Sequence, residues 1–186
     1  MKYEKIVAID LETTGFSKEK HQILEFGAVA YFPKTEEQRR FSCLVLVEDI
    51  PGNITALTGI DKETLTLEGA KPLCEALIAF ENFVKEDAAK IIIVGQNIRH
   101  FDIPFLVFNG GVDWRKNPPF YVVWDTCQFE IMNGGKGLRD LHALCVKYKV
   151  AHNKRAHRAL FDAEKAFYVF LKQYTKNKQG VNFTKA

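Results

Sequence analysis

The sequence contains a stretch, Lys5-Ile-Val-Ala-Ile-Asp-Leu-Glu-Thr-Thr-Gly15, in which a short apolar run leads into two carboxylates. The apolar run predicts a buried strand. Because side chains alternate along a strand, Asp10 and Glu12 should point to one face and Leu11 to the other. One interpretation is that the strand simply ends in water at Asp10. The other is half of a metal site, because adjacent carboxylates repel each other and Mg²⁺ and Mn²⁺ prefer carboxylate oxygen.

Length and composition are those of one ordinary globular domain. The chain has 186 residues, of which 47% are apolar and 26% charged, which is enough for a substantial core. The net charge of +3 is compatible with a phosphate-bearing partner but does not demand one. No apolar run approaches the roughly 18 residues that span a membrane, and the N-terminus lacks the apolar stretch of a signal peptide.

The cysteines predict a reducing compartment. They are widely scattered, lie in apolar surroundings and show no Cys-x-x-Cys spacing, which favours buried free thiols over disulfides or zinc ligands. The four are Cys43, Cys74, Cys127 and Cys145. A cytoplasmic location is expected.

The order of predicted elements indicates an α/β fold. Strands are expected over residues 6–9, 22–32, 41–47, 91–94 and 120–124, and helices over 72–84, 102–109, 138–148 and 159–172. A charged hairpin (34–40) joins the second and third strands, and residues 54–60 are expected to be irregular. Three strands in a meander, followed by alternating helices and strands, predict a mixed sheet with helices on its faces. Sites in such sheets form at the carboxyl ends of central strands, so the strand 91–94 should end beside Asp10 and Glu12.

A third carboxylate follows the strand 91–94. Pro104 belongs in the first turn of a helix, which places Asp102 at or near the helix N-terminus. Asp102 is therefore a candidate N-cap, worth roughly 1 kcal/mol, although a carboxylate has two oxygens and can also bind a cation. Asn97 can either tie the strand-to-helix turn together or bind a substrate phosphate, and the structural use is favoured.

The fourth carboxylate lies on the last predicted helix. Asp162 is three residues after Ala159 and four before Ala166, so it shares a stripe of small residues that can approach the sheet closely. An acid on such a stripe is unusual for a core face, but it is reasonable if that face covers a cation. His157, five residues before Asp162, is expected in the loop that leads into the helix, where it is exposed.

Read together, these three motifs closely resemble those of the DEDD exonucleases. They are Asp10-Leu-Glu12-Thr-Thr-Gly15, then Asn97 through Phe101-Asp102 to Phe105-Leu106, and finally His157-Arg-Ala-Leu-Phe-Asp162-Ala163. The histidine five residues before the last aspartate marks the DEDDh branch. Within this branch, the motifs are similar to those of the DnaQ-type proofreading ε subunit of bacterial DNA polymerase III. The resemblance covers about residues 5–172, which predicts an exonuclease domain over residues 1–172 and a polar C-terminal tail over 173–186.

The resemblance implies a ribonuclease H-like mixed five-stranded sheet and 3′→5′ hydrolysis of phosphodiester bonds. Its four acids would bind two divalent cations, Mg²⁺ or Mn²⁺, and His157 would be the general base. The other implied contacts are to the substrate: Thr13 and Thr14 beside the terminal nucleotide, Leu57 as a wedge near the terminal bases, and Phe101 against the sugar or base. Two positions depart from relatives, Phe161 where a small residue is frequent and Gln96 where histidine is frequent. Neither belongs to the proposed metal set.

The substrate expected from the resemblance is a single-stranded or frayed 3′ end, with DNA favoured over RNA. A DNA polymerase partner in replication and proofreading, or a homodimer, remains open, and the short tail after Lys172 does not resemble a polymerase-binding extension. Three alternatives were weighed: a catalytically silent nucleic-acid-binding module on the same fold, a ribonuclease H or integrase-like enzyme, and a non-enzymatic interaction protein. The intact acids and the spacing from His157 to Asp162 favour the exonuclease.

Overall fold

A five-stranded mixed sheet forms the centre of the computed structural model, which describes residues 3–116, 121–135, 140–151 and 157–178. The strands are β1 (Lys5–Thr13), β2 (Ile23–Phe32), β3 (Glu37–Leu44), β4 (Ile91–Gly95) and β5 (Tyr121–Asp125). Their order across the sheet is β3-β2-β1-β4-β5. The first three strands pair antiparallel, while β1–β4 and β4–β5 pair parallel. The predicted fold class is confirmed.

Strand β1 lies at the centre of the sheet and is buried on both faces. Val7, Ile9 and Leu11 face a large core that includes Phe80. Ile6, Ala8 and their neighbours face the other side. Because strand side chains alternate, the second face continues through Asp10 and Glu12. Leu11 therefore points away from the acidic pair, as the sequence predicted.

The helices pack on both faces of this sheet. In the described parts of the chain they are α1 (Gly52–Thr58), α2 (Lys62–Leu67), α3 (Leu73–Lys85), α4 (Asp102–Phe108), α5 (Thr126–Met132), α6 (Leu141–Tyr148) and α7 (Ala159–Lys178). Helices α3 and α4 cover the large core on one face. Helix α7 covers the other face, where Phe167 and Phe170 pack against Ile6 and Ala8. The acidic face of β1 therefore lies beneath the start of α7.

Two local predictions in the first half of the chain are wrong. Strand β3 begins at Glu37 and ends at Leu44, whereas residues 41–47 were predicted, because the β2–β3 hairpin is shorter than expected and its charged residues lie on a strand. The segment 54–60 is not irregular, since helix α1 spans most of it and ends at Gly59 with φ 73°. Buried Ile54 helps to hold this helix against a small core that contains Leu24.

The helix predictions in the second half of the chain need extension. Helix α7 continues to Lys178, six residues beyond the predicted end at 172, and Gln173 on its last turns is fully buried. Helix α5 was not predicted, and Asp125 caps it by accepting from the Cys127 and Gln128 N–H groups. The predicted start of α6 at 138 and the tail residues 179–186 lie outside the described residues. The domain boundary at 172 stays a prediction.

The cysteines are free thiols, but their burial differs from the prediction. Cys127 and Cys145 are buried, Cys43 is half-buried and Cys74 is exposed. Cys74 is exposed because it lies on the outer side of helix α3, whose buried residues include Ala76 and Leu77. Within the described parts of the chain, none of the helices has the length and apolar character that crossing a bilayer requires.

Candidate active site

Three chain segments bring four carboxylates together at the carboxyl ends of β1 and β4. Asp10 and Glu12 lie near the end of β1, Asp102 begins α4 directly after β4, and Asp162 lies in the first turn of α7. The charges of Asp102, Glu12 and Asp162 each raise the pKa of Asp10, after the larger effect of burial. The four predicted acids therefore lie close enough together for the charges of the other three to act on Asp10.

An irregularity in the sheet lies at the acidic pair. Strands β1 and β2 keep a regular register up to Glu12, which pairs with Glu25, and the register shifts between Glu12 and Thr13. Bulges of this kind re-aim side chains and are frequent beside active sites. Here the shift separates Glu12, which faces the acidic cluster, from Thr13, which is buried and bonds within the following turn.

Asp102 does not cap its helix, contrary to the interpretation favoured from the sequence. Phe101 occupies the N-cap position, and Asp102 is the first helical residue. The Leu11 N–H of β1 donates instead to Asp102 Oδ1 at 3.0 Å. The carboxylate is only 2% exposed, so a backbone group on the neighbouring strand holds one of its oxygens. This bond joins the second motif directly to the first.

The start of α7 comes unusually close to the sheet. A Cβ on Gly27 would lie 2.1 Å from the carbonyl carbon of Ala159, and Gly27 pairs with Asp10 across β1 and β2. Only a residue without a side chain allows this approach. The small-residue stripe predicted from the sequence is buried at Ala159, Ala163 and Ala166. The close packing brings Asp162 over the acidic face of β1.

His157 lies beside the acids and is exposed, as predicted. Its Nδ1 is 3.3 Å from Asp162 Oδ2, and 58% of its side chain is exposed. Its backbone N–H donates to the Leu57 carbonyl at 3.1 Å. One ligand atom from each of Glu12, His157 and Asp162 lies within 4.8 Å of the other two. The His157 imidazole thus lies next to the acids, on the side of the cluster that is exposed to solvent.

The pKa values of the clustered acids are raised, which means that their negative charges are unfavourable without a nearby positive charge. Burial, followed by the charge of Asp162, raises the pKa of Glu12 to about 8. Burial also raises the pKa of Asp102 to about 8, although hydrogen bonds from backbone N–H groups favour its ionised form. Lys165 Nζ contacts Asp162 Oδ1 at 2.6 Å and supplies one positive charge. Hard carboxylate oxygens in this number fit divalent cations such as Mg²⁺ and Mn²⁺.

The hydroxyls of the first motif are used in local structure. Thr13 Oγ1 donates to the Gly15 carbonyl at 2.6 Å. Thr14 Oγ1 accepts from the Gln22 N–H at 2.9 Å, and the Thr14 N–H donates to the Gln22 carbonyl. Both side chains are buried. These hydrogen bonds fix the conformation of the loop after β1.

Leu57 and Phe101, the two apolar side chains expected to contact the substrate, are both at least partly exposed. Leu57 on α1 is 46% exposed, and its carbonyl is the group that binds the His157 N–H. Phe101 is half-buried, with its ring centroid 5.0 Å from that of Phe105. Phe16, which is 87% exposed, also packs edge-on against Phe101, with ring centroids 6.5 Å apart. Phe16 follows directly after the first motif but is not part of it.

Asn97 is placed by a carboxylate that sequence reasoning missed. Asp125, at the end of β5, accepts from the Asn97 N–H at 3.1 Å and from the Arg99 N–H at 3.2 Å. Asn97 adopts the left-handed conformation, with φ 54°, which asparagine tolerates better than most residues. Its backbone therefore ties the turn together, while its exposed side chain points to solvent. Asp125 could have been found as an acid directly after a predicted parallel strand.

The mixed sheet and the clustered acids with an adjacent histidine define the class of fold and site expected of a DEDDh 3′→5′ exonuclease. The solved nuclease domain of 3′hExo, described as a DEDDh family member bound to rAMP, superposes with a TM-score of 0.69 at 20% identity, covering 100% of this chain and 98% of that one. At this identity the likeness establishes the ribonuclease H-like fold that was predicted.

Sequence comparison establishes the family. The family described as Exonuclease matches residues 7–170, so this chain belongs to the exonuclease family, as its three motifs predicted. DNA polymerase III PolC-type of Ureaplasma parvum is 32% identical over 163 residues, which are 84% of this chain and 10% of that protein. The 3′-5′ DNA exonuclease Cap18 of Escherichia coli is 31% identical over 121 residues, 62% of each chain. The chain thus spans about a tenth of the PolC-type relative's length.

Proposed function

We propose that this protein is a 3′→5′ exonuclease that hydrolyses phosphodiester bonds at the 3′ end of nucleic acid and releases nucleoside 5′-monophosphates. The observation that carries the proposal is the convergence of four acids from three distant segments, with an imidazole at their open side. Membership of the exonuclease family supports it. A surface that only bound nucleic acid would gain nothing from a buried cluster of like charges, which repels phosphate.

The acids are assigned to cation binding. Asp10, Glu12, Asp102 and Asp162 would hold two divalent ions, Mg²⁺ or Mn²⁺. When bound, such ions offset the charge of the phosphate and make water more acidic. The protein's own contribution is to hold these carboxylates in place, for example through the Leu11 N–H that fixes Asp102.

His157 is assigned as the general base. Its Nδ1 faces Asp162, and if Nδ1 carries the proton, Nε2 is the basic nitrogen. A neutral imidazole at this place can accept the proton of an attacking water. The exposed position of the side chain gives it access to a water beside the scissile phosphate.

The remaining assigned residues would form the walls around the terminal nucleotide. We assign this role to the loop of Thr13 and Thr14, to Leu57 as a wedge, to the ring of Phe101 and to the exposed side chain of Asn97. A pocket that is closed behind the 3′ end requires the last bases to leave the stack, so single-stranded or frayed ends are the expected substrates. DNA is favoured because the two sequence relatives are named as a DNA polymerase and a DNA exonuclease.

Association with a DNA polymerase, a role in proofreading, a homodimer and a cytoplasmic location stay predictions. The PolC-type relatives support the first of these, because the region they share with this chain is part of a polymerase polypeptide.

The test is a time course on matched 3′-labelled DNA and RNA oligonucleotides with Mg²⁺, Mn²⁺ or chelator. We expect immediate release of labelled mononucleotide, faster from DNA, and none in chelator. Asp10→Ala should abolish release, while Asp49→Asn, an exposed acid on another part of the surface, should not change it. Internal fragments would indicate an endonuclease, and near-normal turnover of Asp10→Ala would contradict the assignment.

A further inference from the structure

Glu25 is a fully buried carboxylate beside the proposed active site to which the proposed reaction gives no role. It lies on β2, directly opposite Glu12 on β1. Residues paired across two strands point to the same face, so Glu25 faces the start of α7, as Glu12 does. A buried acid at this place must either join the cation-binding set or be neutralised by the protein.

The hydrogen-bond partners of Glu25 show that the protein neutralises this carboxylate, so Glu25 does not join the cation-binding set. The guanidinium of Arg158 donates to both of its oxygens, with Nε 3.2 Å from Oε1 and 3.1 Å from Oε2, and Nη2 3.0 Å from Oε1. The Ala159 N–H donates to Oε2 at 3.0 Å, and Ser42 Oγ donates to Oε1 at 3.0 Å. Each oxygen thus has at least two donors, and a planar fork of this kind fixes both position and orientation.

Arg158 also connects the start of α7 to helix α2. Its Nη2 also donates to Glu68 Oε2 at 2.9 Å, at the end of α2. The residue before it, His157, donates its backbone N–H to Leu57 on α1. His157 is therefore attached to α1, Arg158 to β2 and to the end of α2, and Ala159 to β2. The Ala159 N–H is one of the orphan donors at the start of a helix, so the same carboxylate also fixes where α7 begins.

We propose that Glu25 and Arg158 are a positioning pair that holds His157 and the first turn of α7 in register with the acids of β1. The proposal rests on the proposed exonuclease function and concerns the same site. The His157 ring is largely exposed and contacts Asp162, so it is the backbone attachment on either side of Arg158 that sets where the ring can reach. A displacement of about 1 Å in a reacting group can cost roughly 100-fold in rate.

The test is a double-mutant cycle between Arg158→Gln and His157→Ala, measured as kcat and KM on a 3′-labelled oligonucleotide. We expect Arg158→Gln alone to lower kcat by roughly 10- to 100-fold with KM changed less than about threefold. In the His157→Ala background the same change should cost less than about threefold, because there is no base left to position. Arg158→Lys, which keeps the charge without the planar fork, should fall between wild type and Arg158→Gln.

Arg40→Gln is the matched control. Arg40 pairs with Glu164 through Nε at 2.5 Å and likewise joins the sheet to α7, but it does not contact residues 157–159. Its kcat should stay within about twofold of wild type. Melting temperatures of all variants are measured alongside, and kinetics are run well below the lowest of them, so that a loss of folded protein is not read as a loss of positioning.

The outcomes separate the inference from the proposed function. Equal losses from Arg158→Gln in both backgrounds, or a loss no larger than that of Arg40→Gln, would overturn the positioning role while the exonuclease assignment stands. Wild-type turnover in His157→Ala would instead overturn the role of His157 on which the inference depends.

Discussion

At the scale of single residues, the contacts of a buried carboxylate distinguish a structural role from a cation-binding one. Glu25 and Asp125 each accept from several N–H or O–H donors, so the protein itself satisfies them. Asp10 and Glu12 face other acids, and burial and those charges raise their pKa values. Acids that the fold holds together against repulsion are poised to bind positive charge.

Removing one charge from the cluster should separate activity from stability. We expect Asp10→Asn to lower turnover by roughly 100- to 1,000-fold, because the proposed cation site loses a ligand charge. The same change should raise the melting temperature of the metal-free protein at pH 8, since it relieves the repulsion. Calorimetry in chelator and a mononucleotide-release assay measure the two effects. Asp49→Asn is the control and should leave both unchanged, and a lower melting temperature for Asp10→Asn would contradict the argument.

The pH dependence of stability follows from the raised pKa values. In the folded protein the pKa of Glu12 and that of Asp102 are about 8, whereas unfolded carboxyls titrate near about 4. Between these values the unfolded chain has lost protons that the folded chain keeps, so stability falls as pH rises. We expect the melting temperature in chelator to drop by roughly 5 °C or more between pH 5 and pH 8.

Added Mg²⁺ or Mn²⁺ provides the control for this pH effect. Because the cations bind the ionised acids, they should restore more of the melting temperature at pH 8 than at pH 5. Asp10→Asn should show a weaker pH dependence than wild type. A melting temperature in chelator that rises from pH 5 to pH 8 would show that the acids are not held in mutual repulsion.

The sequence could predict the acids of the site but not all of their contacts. Spacing alone placed Asp10 and Glu12 on one face, and the small-residue stripe placed Asp162 toward the sheet. The N-cap interpretation of Asp102 failed because its partner, the Leu11 N–H, is 91 residues away. Glu25 escaped notice for the same reason, since its donors, Ser42, Arg158 and Ala159, lie on a strand and a helix start that only the tertiary fold brings near.

At the scale of elements, the site depends on how closely α7 packs on the sheet. Gly27 on β2 and Ala159 at the start of α7 allow a contact that a larger residue on the strand would prevent. Asp10 is the cross-strand neighbour of Gly27, and Asp162 lies in the first turn of the helix that begins at Ala159. Packing of these two elements therefore sets the separation of the acids.

A methyl group on Gly27 should move α7 away from the sheet. Because the clash is with backbone and not with a flexible side chain, we expect Gly27→Ala to destabilise the protein by about 1–3 kcal/mol, a fall in melting temperature of roughly 2–12 °C. Turnover at a temperature where the variant is folded should also fall. Gly52→Ala is the matched control, since a Cβ there has open space within 4 Å. Equal melting temperatures for the two variants would contradict the packing argument.

Element prediction succeeded where the pattern of side chains was strong and failed where tertiary packing decides. The β-branched run at 91–94 correctly predicted a central parallel strand, β4. Helix α1 was missed because Gly52, Asn53 and Thr55 are weak helix formers. It forms because Ile54 and Thr58 are buried against the sheet side of the small core, and Thr58 Oγ1 donates back to the Ile54 carbonyl.

At the scale of the whole molecule, a buried polar network fastens the far end of α7. Gln173 Nε2 donates to the Thr126 carbonyl at 2.9 Å and to Glu130 Oε1 at 3.2 Å. Its Oε1 accepts from Trp124 Nε1 at 2.9 Å. One fully buried amide thus joins β5 and α5 to α7. The helix is anchored at both ends, by Glu25 at its start and by Gln173 fourteen residues later along the chain.

Loss of this amide should destabilise the whole fold. Gln173→Ala leaves several buried donors and acceptors without that partner, and each such group costs about 1–3 kcal/mol. We expect a loss of roughly 2–4 kcal/mol in unfolding free energy by urea titration, together with a change in tryptophan fluorescence because Trp124 loses a hydrogen bond. Gln128→Ala on the exposed side of α5 is the control and should stay within about 0.5 kcal/mol of wild type. Equal unfolding free energies for the two variants would show that Gln173 does not anchor this part of α7.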